Sequence, residues 1–258
     1  MGAARTAIVT GATEGIGRAI ALGLVQEGVR VIAVGRAPEK LAALRQQAGA
    51  RSDRLFCESL DIGDIAAFEA RLHDWVARWG AITDLVNAAG ILDPGPLLAA
   101  PPDSIRRVIA TNLTATLEVT LAVARHMAGL RRGSIVTIGS NSGTTARTGL
   151  GAYPASKAGI IHAMKCLGLE LAEYGVRCNI VSPGSTDTGM QRRFQSSAAS
   201  REAVLKGDLS KHRLGIPLGR MAEPGDVSDL VLFLLSDRAR HITMENTVID
   251  GGATMGAR

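Results

Sequence analysis

Short apolar runs rich in β-branched residues alternate along the chain with longer stretches whose apolar residues recur at helical spacing. The runs predict seven strands: Thr6–Thr10, Val29–Val34, Arg54–Leu60, Asp84–Ala88, Ser134–Ile138, Val176–Ser182 and Thr247–Asp250. The stretches between them predict amphipathic helices, including Ile16–Gln26, Leu41–Gln47 and Ile65–Trp79. Such alternation is typical of a parallel sheet with helices on both faces. Because crossovers are right-handed, we expect an α/β fold of the doubly wound, Rossmann type with about seven parallel strands.

The 258 residues are predicted to form a single domain, 1–258, since no internal repeat or low-complexity linker divides them. Residues 184–216 interrupt the alternation with a polar stretch that contains Gln195-Ser196-Ser197-Ala198. In a doubly wound sheet, ligands bind beyond the carboxyl ends of the strands, where this stretch begins. We therefore expect a substrate lid at about 184–216; an ordinary surface excursion is the alternative.

Composition narrows the classes of function. Hydrophobic residues make up 46% and charged residues 21% of the chain, and no apolar run is long enough to cross a membrane. The net charge of +5 comes from scattered arginines without interleaved aromatics, which argues against nucleic acid and suits a small anionic substrate or cofactor. Cys57, Cys166 and Cys178 are odd in number and far apart, so we expect free thiols, no metal site and a cytoplasmic protein.

A glycine-rich turn connects the first predicted strand to the first predicted helix. It reads Thr10-Gly11-Ala12-Thr13-Glu14-Gly15-Ile16-Gly17. Glycines at such a place let the backbone turn sharply and approach a pyrophosphate held at the helix N-terminus. The turn predicts a dinucleotide-binding site.

A second motif, Tyr153-Pro154-Ala155-Ser156-Lys157, places a phenol and an ammonium group four residues apart. On a helix this spacing puts both on one face, where the cation is expected to lower the pKa of Tyr153 toward the working pH of a general base. Ser140 follows the apolar run Ile135–Ile138, so its hydroxyl is expected to meet that of Tyr153 at the carboxyl edge of the sheet. A surface Tyr beside a Lys is the alternative.

Taken together, these motifs resemble the short-chain dehydrogenase/reductase family over essentially the whole chain. The resemblance implies NAD or NADP as cofactor, a homotetramer, no metal, and a catalytic tetrad of Asn112, Ser140, Tyr153 and Lys157. The cofactor-binding residues that it implies are Gly11, Thr13, Gly15, Ile16, Gly17, Arg36, Asp61, Ile62, Asn87, Ala88, Gly90, Tyr153, Lys157, Pro183, Gly184, Thr186 and Thr188.

The choice between NAD and NADP depends on two conflicting residues. Family members that prefer NAD place an acid after the second strand to bind the ribose 2′-hydroxyl, whereas this chain reads Val34-Gly35-Arg36. Arg36 would suit the 2′-phosphate of NADP, but Glu14 stands where NADP users often carry a basic residue. We expect NAD, with NADP as the alternative that Arg36 allows.

The C-terminal half resembles one branch of the family, the 2,3-dihydro-2,3-dihydroxybenzoate dehydrogenases. The resemblance lies in Val181–Thr188, Met190–Arg192, Leu214–Gly219, His241–Thr243 and Asp250–Gly252. It implies NAD(P)-dependent oxidation of a ring carbinol in a cyclohexadiene carboxylate, whose ketone product enolises to an aromatic ring for siderophore or secondary-metabolite biosynthesis. The substrate is 2,3-dihydro-2,3-dihydroxybenzoate or a 2-amino analogue such as 2,3-dihydro-3-hydroxyanthranilate.

Five residues are predicted to bind this substrate: Ser140, Arg147, Tyr153, Met190 and Gln191. Arg147 lies in the connection from Ser140 to the Tyr153 helix, and its guanidinium suits a carboxylate. The alternative is that Arg147 is a solvated loop arginine and that Arg192 binds the carboxylate instead.

Two other functions stay open. Arg36 favours an NADPH-dependent ketone reductase of the 3-oxoacyl-carrier-protein reductase type, and a cofactor-binding regulator would not need the Ser-Tyr-Lys set.

Overall fold

The strands form one parallel sheet whose switch point lies between β1 and β4. The computed structural model describes residues 5–194 and 198–256, and within them the strand order is β3-β2-β1-β4-β5-β6-β7. The strands are β1 Thr6–Thr10, β2 Arg30–Gly35, β3 Leu55–Ser59, β4 Asp84–Asn87, β5 Gly133–Ile138, β6 Val176–Pro183 and β7 Asn246–Ile249. The predicted doubly wound fold is confirmed, and each predicted strand begins and ends within one residue of the observed one.

Helices cover both faces of the sheet. They are α1 Gly15–Gln26, α2 Pro38–Gln47, α3 Ile65–Trp79, α4 Pro102–Ile109, α5 Thr116–Leu130, α6 Tyr153–Leu171, α7 Gly189–Phe194, α8 Ala198–Lys206 and α9 Pro224–Leu235. Along β1, Ala7 and Val9 belong to the core under α1, α2 and α9, whereas Ile8 belongs to the core under α3, α5 and α6. Because successive side chains enter opposite cores, the strands have no polar face and appear in sequence as continuous apolar runs.

Local signals account for where helices begin. Pro38 starts α2 before the predicted Leu41, since proline at the first helical position has its φ preset and lacks an N–H that would be unpaired there. Asp64 caps α3 by accepting a hydrogen bond from the Ala67 N–H at 3.0 Å. The predicted helix at Ile65–Trp79 is therefore confirmed at both ends.

The helical path from α4 to α5 is interrupted by a π-helical segment, Ala110–Ala115. Its wider turn adds a residue to the helix and presents Asn112 toward α6, with which this segment is in contact. Such bulges are frequent at functional sites.

The predicted lid follows β6 and contains α7 and α8. Val204 and Ile216 from this stretch pack with Met221 in a small apolar cluster separate from the two main cores. Residues 195–197 of the predicted lid lie outside the described residues. Among the described helices, none is both long and apolar enough to cross a lipid bilayer.

Candidate active site

The glycine-rich turn brings the start of α1 directly beyond the end of β1. Gly11 and Gly15 have φ values of +65° and +56°, which L side chains rarely adopt. A Cβ on Gly11 would lie 2.6 Å from the backbone of Ala89, and one on Gly17 would overlap the carbonyl oxygen of Gly11. No side chain caps the N-terminus of α1 and its first turn carries no acidic residue, so its free N–H groups suit a pyrophosphate.

Two adjoining cavities open at this edge of the sheet. The first, called the glycine cleft, has a volume of about 210 Å³. Predicted cofactor residues that line it are Gly11, Thr13, Gly15, Ile16, Gly17, Arg36, Asp61, Ile62, Ala88, Gly90, Tyr153, Lys157 and Thr188.

The second cavity, called the serine pocket, has a volume of about 140 Å³. Predicted residues that line it are Ser140, Arg147, Tyr153, Pro183, Gly184, Thr186, Thr188, Met190 and Gln191. Tyr153 and Thr188 line both cavities, so a ligand in one lies beside a ligand in the other.

At the far end of the glycine cleft, two cations each face a carboxylate. The guanidinium of Arg36 lies 3.8 Å from the Asp61 carboxylate, and both side chains are mostly exposed. The Lys40 ammonium lies 2.8 Å from the Glu14 carboxylate, which also pairs with Arg193 of α7 at 3.4 Å. The hydrogen bond from Lys40 lowers the pKa of Glu14, so the turn carries a negative charge at neutral pH.

Asn87 is the predicted cofactor residue whose side chain lies outside both cavities. It is buried, and its amide donates to the hydroxyls of Thr120 at 2.8 Å and Thr137 at 3.0 Å. These bonds join β4 to α5 and β5. The side chain therefore fixes the strand end from which Ala88 and Gly90 continue into the glycine cleft.

Ser140, Tyr153 and Lys157 meet where the two cavities join. The Tyr153 phenol is hydrogen-bonded to Ser140, whose hydroxyl also lies 2.9 Å from that of Ser142. Pro154 follows Tyr153 in the first turn of α6, where its missing N–H costs no helical hydrogen bond. One turn further on, the Lys157 ammonium lies 5.6 Å from the centre of the Tyr153 ring and donates to the Ile138 carbonyl at 2.7 Å.

The acid–base properties of this set differ from the sequence-based expectation. Desolvation raises the pKa of Tyr153 to about 12, and the hydrogen bond from Ser140 offsets this only in part. Desolvation also lowers the pKa of Lys157 to about 8. The expectation of a lowered Tyr153 pKa is wrong for this structure, because desolvation of the phenol outweighs the stabilisation that its neighbours give to the phenolate.

Asn112 connects the π-helical segment to the loop after β4 and to α6. Its side chain accepts a hydrogen bond from the Ile91 N–H and donates to the Ile91 carbonyl, both at 2.8 Å. It also donates to Ser156 at 3.1 Å. A Cβ on Gly90 would lie 3.3 Å from Asn112 and 3.7 Å from the Lys157 ammonium, so the two side chains approach across this glycine.

The serine pocket contains two arginines. Arg147 donates to the Ala253 carbonyl at 3.2 Å, and Arg213, from the predicted lid, also lines the pocket. Arg192, the alternative to Arg147, lies outside the pocket and pairs with Asp187 at 2.8 Å. The side-chain amide nitrogen of Gln191 is buried at the pocket and has no hydrogen-bond partner among the described residues.

Residues 5–199 match the family model described as short chain dehydrogenase. The chain belongs to the short-chain dehydrogenase/reductase family. It is 42% identical to the 2,3-dihydro-2,3-dihydroxybenzoate dehydrogenase of Bacillus subtilis (strain 168), over 98% of this chain and 97% of that relative. It is 38% identical to the enzyme of that name from Escherichia coli (strain K12), over 96% of each chain. It is 36% identical to the 3-oxoacyl-(acyl-carrier-protein) reductase of Vibrio harveyi, over 97% of this chain and 98% of that relative.

Two solved structures have the same architecture. A short-chain type dehydrogenase/reductase from Mycobacterium ulcerans superposes with a TM-score of 0.88 at 31% identity, over 97% of this chain and 90% of that chain. Levodione reductase superposes with a TM-score of 0.90 at 25% identity, over 98% of each chain.

In this short-chain dehydrogenase, sequence reasoning missed four polar residues of the serine pocket: Asn141, Ser142, Ser185 and Arg213. Ser142 is hydrogen-bonded to Ser140, and only its nearness in sequence could have signalled it. Arg213 is separated from Tyr153 by most of α6, β6 and the lid, and only its place inside residues 184–216 could have signalled it.

Proposed function

We propose that this short-chain dehydrogenase oxidises a ring carbinol of a cyclohexadiene carboxylate, with NAD as hydride acceptor, to give an aromatic acid. The observation that carries the proposal is the serine pocket, where cationic Arg147 lies in the same cavity as the Tyr153–Ser140 pair. Such a pocket suits a compact ring bearing both an alcohol and a carboxylate. Further support comes from relatives named 2,3-dihydro-2,3-dihydroxybenzoate dehydrogenase at 38% to 42% identity.

The glycine cleft fits a nicotinamide dinucleotide. Its turn admits no Cβ at Gly11 or Gly17, and the uncapped start of α1 supplies N–H donors for the pyrophosphate. We assign the adenine and ribose to the end near Arg36 and Asp61, and the nicotinamide to the end near Tyr153 and Thr188. The negative charge of Glu14 and the pairing of Lys40 favour NAD over NADP, since a 2′-phosphate would meet that charge.

In the mechanism we propose, NAD supplies the hydride acceptor when bound, and the chain supplies the acid–base groups. Tyr153, as phenolate, takes the carbinol proton while the C–H hydride leaves the same carbon. Ser140 orients the carbinol oxygen, being hydrogen-bonded to the phenol already. Lys157, as a cation one turn away, stabilises the phenolate. The ketone that forms lies in a ring with two further double bonds, so it loses a ring proton and enolises to a phenol without another oxidant.

Asn112 acts in this proposal as a positioning residue. It holds the Ile91 backbone through two hydrogen bonds and the start of α6 through Ser156. These contacts hold Gly90 and Lys157 next to each other in the wall of the glycine cleft. Because both N–H donors of the amide are used by these partners, its contribution is geometry rather than proton donation.

One experiment tests the proposed reaction. The purified protein is incubated with NAD or NADP and with trans-2,3-dihydro-2,3-dihydroxybenzoate, its 2-amino analogue 2,3-dihydro-3-hydroxyanthranilate, or a neutral cyclic alcohol. We expect reduced nicotinamide and the aromatic acid to form in equal amounts with a carboxylate substrate, and slow turnover of the neutral alcohol. Comparison of the two carboxylates identifies the neighbouring substituent, and the product would serve siderophore or secondary-metabolite biosynthesis.

A second candidate is the NADPH-dependent reduction of a 3-oxoacyl thioester. It is favoured by the exposed guanidinium of Arg36 at the cofactor end and by the 36% identity to a reductase of that name. A reductase would consume NADPH with an acetoacetyl thioester faster than it oxidises any dihydrodiol. That result would replace the first proposal by the second.

A further inference from the structure

The serine pocket combines two cations and no anion. Arg147 enters from the connection between β5 and α6, and Arg213 enters from the segment that follows α8. Neither Asp nor Glu occurs among the described residues that line this pocket. The guanidinium of Arg147 has one hydrogen bond, to a backbone carbonyl, and that of Arg213 has no hydrogen-bond or ion-pair partner among the described residues.

The electrostatics of Arg213 show that the two cations act on each other. Desolvation lowers the pKa of Arg213, the charge of Arg147 lowers it further, and attraction to Asp208 offsets part of the effect. Two like charges brought together in a partly desolvated cavity repel each other. The arrangement costs free energy by itself, and an anion between the two arginines would remove that cost.

The backbone around Arg213 is held by hydrogen bonds and close packing. Backbone hydrogen bonds of 2.8 Å and 3.0 Å join Arg213 and Asp208 in both directions. Gly207 and Gly215 flank this hairpin with φ values of +91° and +85°. A Cβ at either glycine would lie 2.6–2.7 Å from the backbone of the facing strand of the hairpin. The hairpin therefore holds Arg213 at the pocket through its own backbone contacts.

We infer that Arg147 and Arg213 together form the binding site for the carboxylate of the substrate, and that Arg213 is a specificity-determining residue carried by the predicted lid. The inference rests on the proposed function and adds to it the second cation. The buried, unpartnered amide nitrogen of Gln191 supplies a further donor in the same pocket. With the carboxylate held there, the ring is left to present its carbinol to Tyr153 and Ser140.

The test measures binding as well as turnover. Dissociation constants are measured by calorimetry at constant ionic strength for 2,3-dihydroxybenzoate and for catechol, its neutral counterpart. The variants are Arg213→Met, Arg213→Lys, Arg147→Met and the control Arg201→Met, an exposed lid arginine that pairs with Asp187 outside the pocket. Melting temperatures are recorded with and without the acid.

We expect Arg213→Met to weaken binding of 2,3-dihydroxybenzoate at least ten-fold and to leave binding of catechol unchanged. Arg213→Lys should recover part of the loss, because it restores the charge but not the paired N–H donors. Arg201→Met should bind both ligands like the wild type. Without ligand, Arg213→Met should melt no lower than the wild type, since one of two repelling charges is gone, while the stabilisation by the acid should shrink.

Equal weakening of acid and catechol by Arg213→Met, or no weakening of either, overturns the inference. The outcome is independent of the proposed reaction. Selective loss of acid binding in a protein that oxidises no dihydrodiol supports the two-arginine site and rejects the reaction. Oxidation of the dihydrodiol with an unchanged KM in Arg213→Met supports the reaction and rejects the site.

Discussion

At the scale of single residues, the pKa values of Tyr153 and Lys157 are shifted in opposite directions from their ordinary values. Desolvation favours the neutral form of each, which raises the pKa of Tyr153 to about 12 and lowers that of Lys157 to about 8. The Lys157 ammonium lies 5.6 Å from the centre of the Tyr153 ring. A positively charged group bound in the glycine cleft would favour the phenolate of Tyr153, the form that the proposed oxidation needs, and would lower the pKa of Lys157 further.

Replacing Tyr153 by Phe should reduce kcat by about 10²- to 10⁴-fold, the usual contribution of a general base. The ring still packs in Tyr→Phe, so binding of the cofactor should change little. Turnover and a fluorescence titration with reduced cofactor check both parts. A variant that keeps a tenth of the wild-type rate would remove Tyr153 from the mechanism.

The rate of oxidation should rise with pH, because the base form of Tyr153 is the phenolate and its pKa lies above neutrality. In Lys157→Met the stabilising cation is gone, so the rise in kcat/KM should move to higher pH. The measurement is a pH profile of kcat/KM for both proteins at constant ionic strength. An unmoved profile would contradict the role proposed for Lys157.

Replacing Arg36 by Ala tests the choice of cofactor. Arg36 and its partner Asp61 are both mostly exposed, so the substitution should cost little stability. In the alternative reading, the Arg36 guanidinium binds the 2′-phosphate of NADP. Charge-assisted hydrogen bonds contribute about 1.5–3 kcal/mol, so the variant should bind NADP about ten-fold or more weaker and NAD almost unchanged. Direct titration with each cofactor measures the difference. Equal losses for both would show that Arg36 does not discriminate between them.

At the scale of elements, the turn between β1 and α1 requires glycine at position 11 for two independent reasons. One is its positive φ, and the other is the approach of the Ala89 backbone to within 2.6 Å of where a Cβ would stand. Only the first reason applies to Gly28, just after α1, since its φ is +82° and no atom lies within 4 Å of the position that its Cβ would take.

Gly11→Ala and Gly28→Ala therefore form a matched pair of variants. Gly28→Ala should lose only the about 1–2 kcal/mol that a left-handed conformation costs an L-residue, and it should still bind the cofactor. Gly11→Ala should lose more stability and should not bind the cofactor, because Ala89 must move from the wall of the glycine cleft. Urea unfolding and titration with NAD measure the two effects. Equal behaviour of the variants would show that contact with Ala89 is unimportant.

Elements whose residues interact locally are those that sequence reasoning predicts well. The strands appear as apolar runs because both faces are buried, and α3 begins at a local cap, Asp64. The π-helical segment that presents Asn112 has no such local signature. The direction of the Tyr153 pKa was predicted wrongly because it depends on desolvation of the phenol in the folded chain, which the four-residue spacing to Lys157 does not show. Arg213 reaches the serine pocket only through the folding of the whole lid.

At the scale of the whole molecule, apolar side chains are left exposed on the outer helices and loops. Leu169 of α6 is 68% exposed and Leu98, in the loop after β4, is fully exposed. Single exposed apolar side chains are also common on monomers, so the expectation about assembly rests on the family. We expect a homotetramer, as family resemblance implies.

Analytical ultracentrifugation at micromolar concentration tests the assembly, with sedimentation as four chains the expected result. Replacing Leu169 by Asp should shift the distribution toward smaller species if α6 takes part in the assembly. A wild-type protein that sediments as one chain would contradict the expectation.

The central place of β1 has a consequence for the chain while it is being made. Thr6–Thr10 leaves the ribosome before the other described strands, yet its two neighbours in the sheet are β2 and β4, and β4 ends only at Asn87. Tyr153, Lys157 and the end of β6 at Pro183 follow much later. A nascent chain that lacks them has a glycine turn but no closed cleft around it. If the proposed dinucleotide binds there, it can stabilise only chains that have been synthesised at least as far as Pro183, so the supply of cofactor acts late in folding.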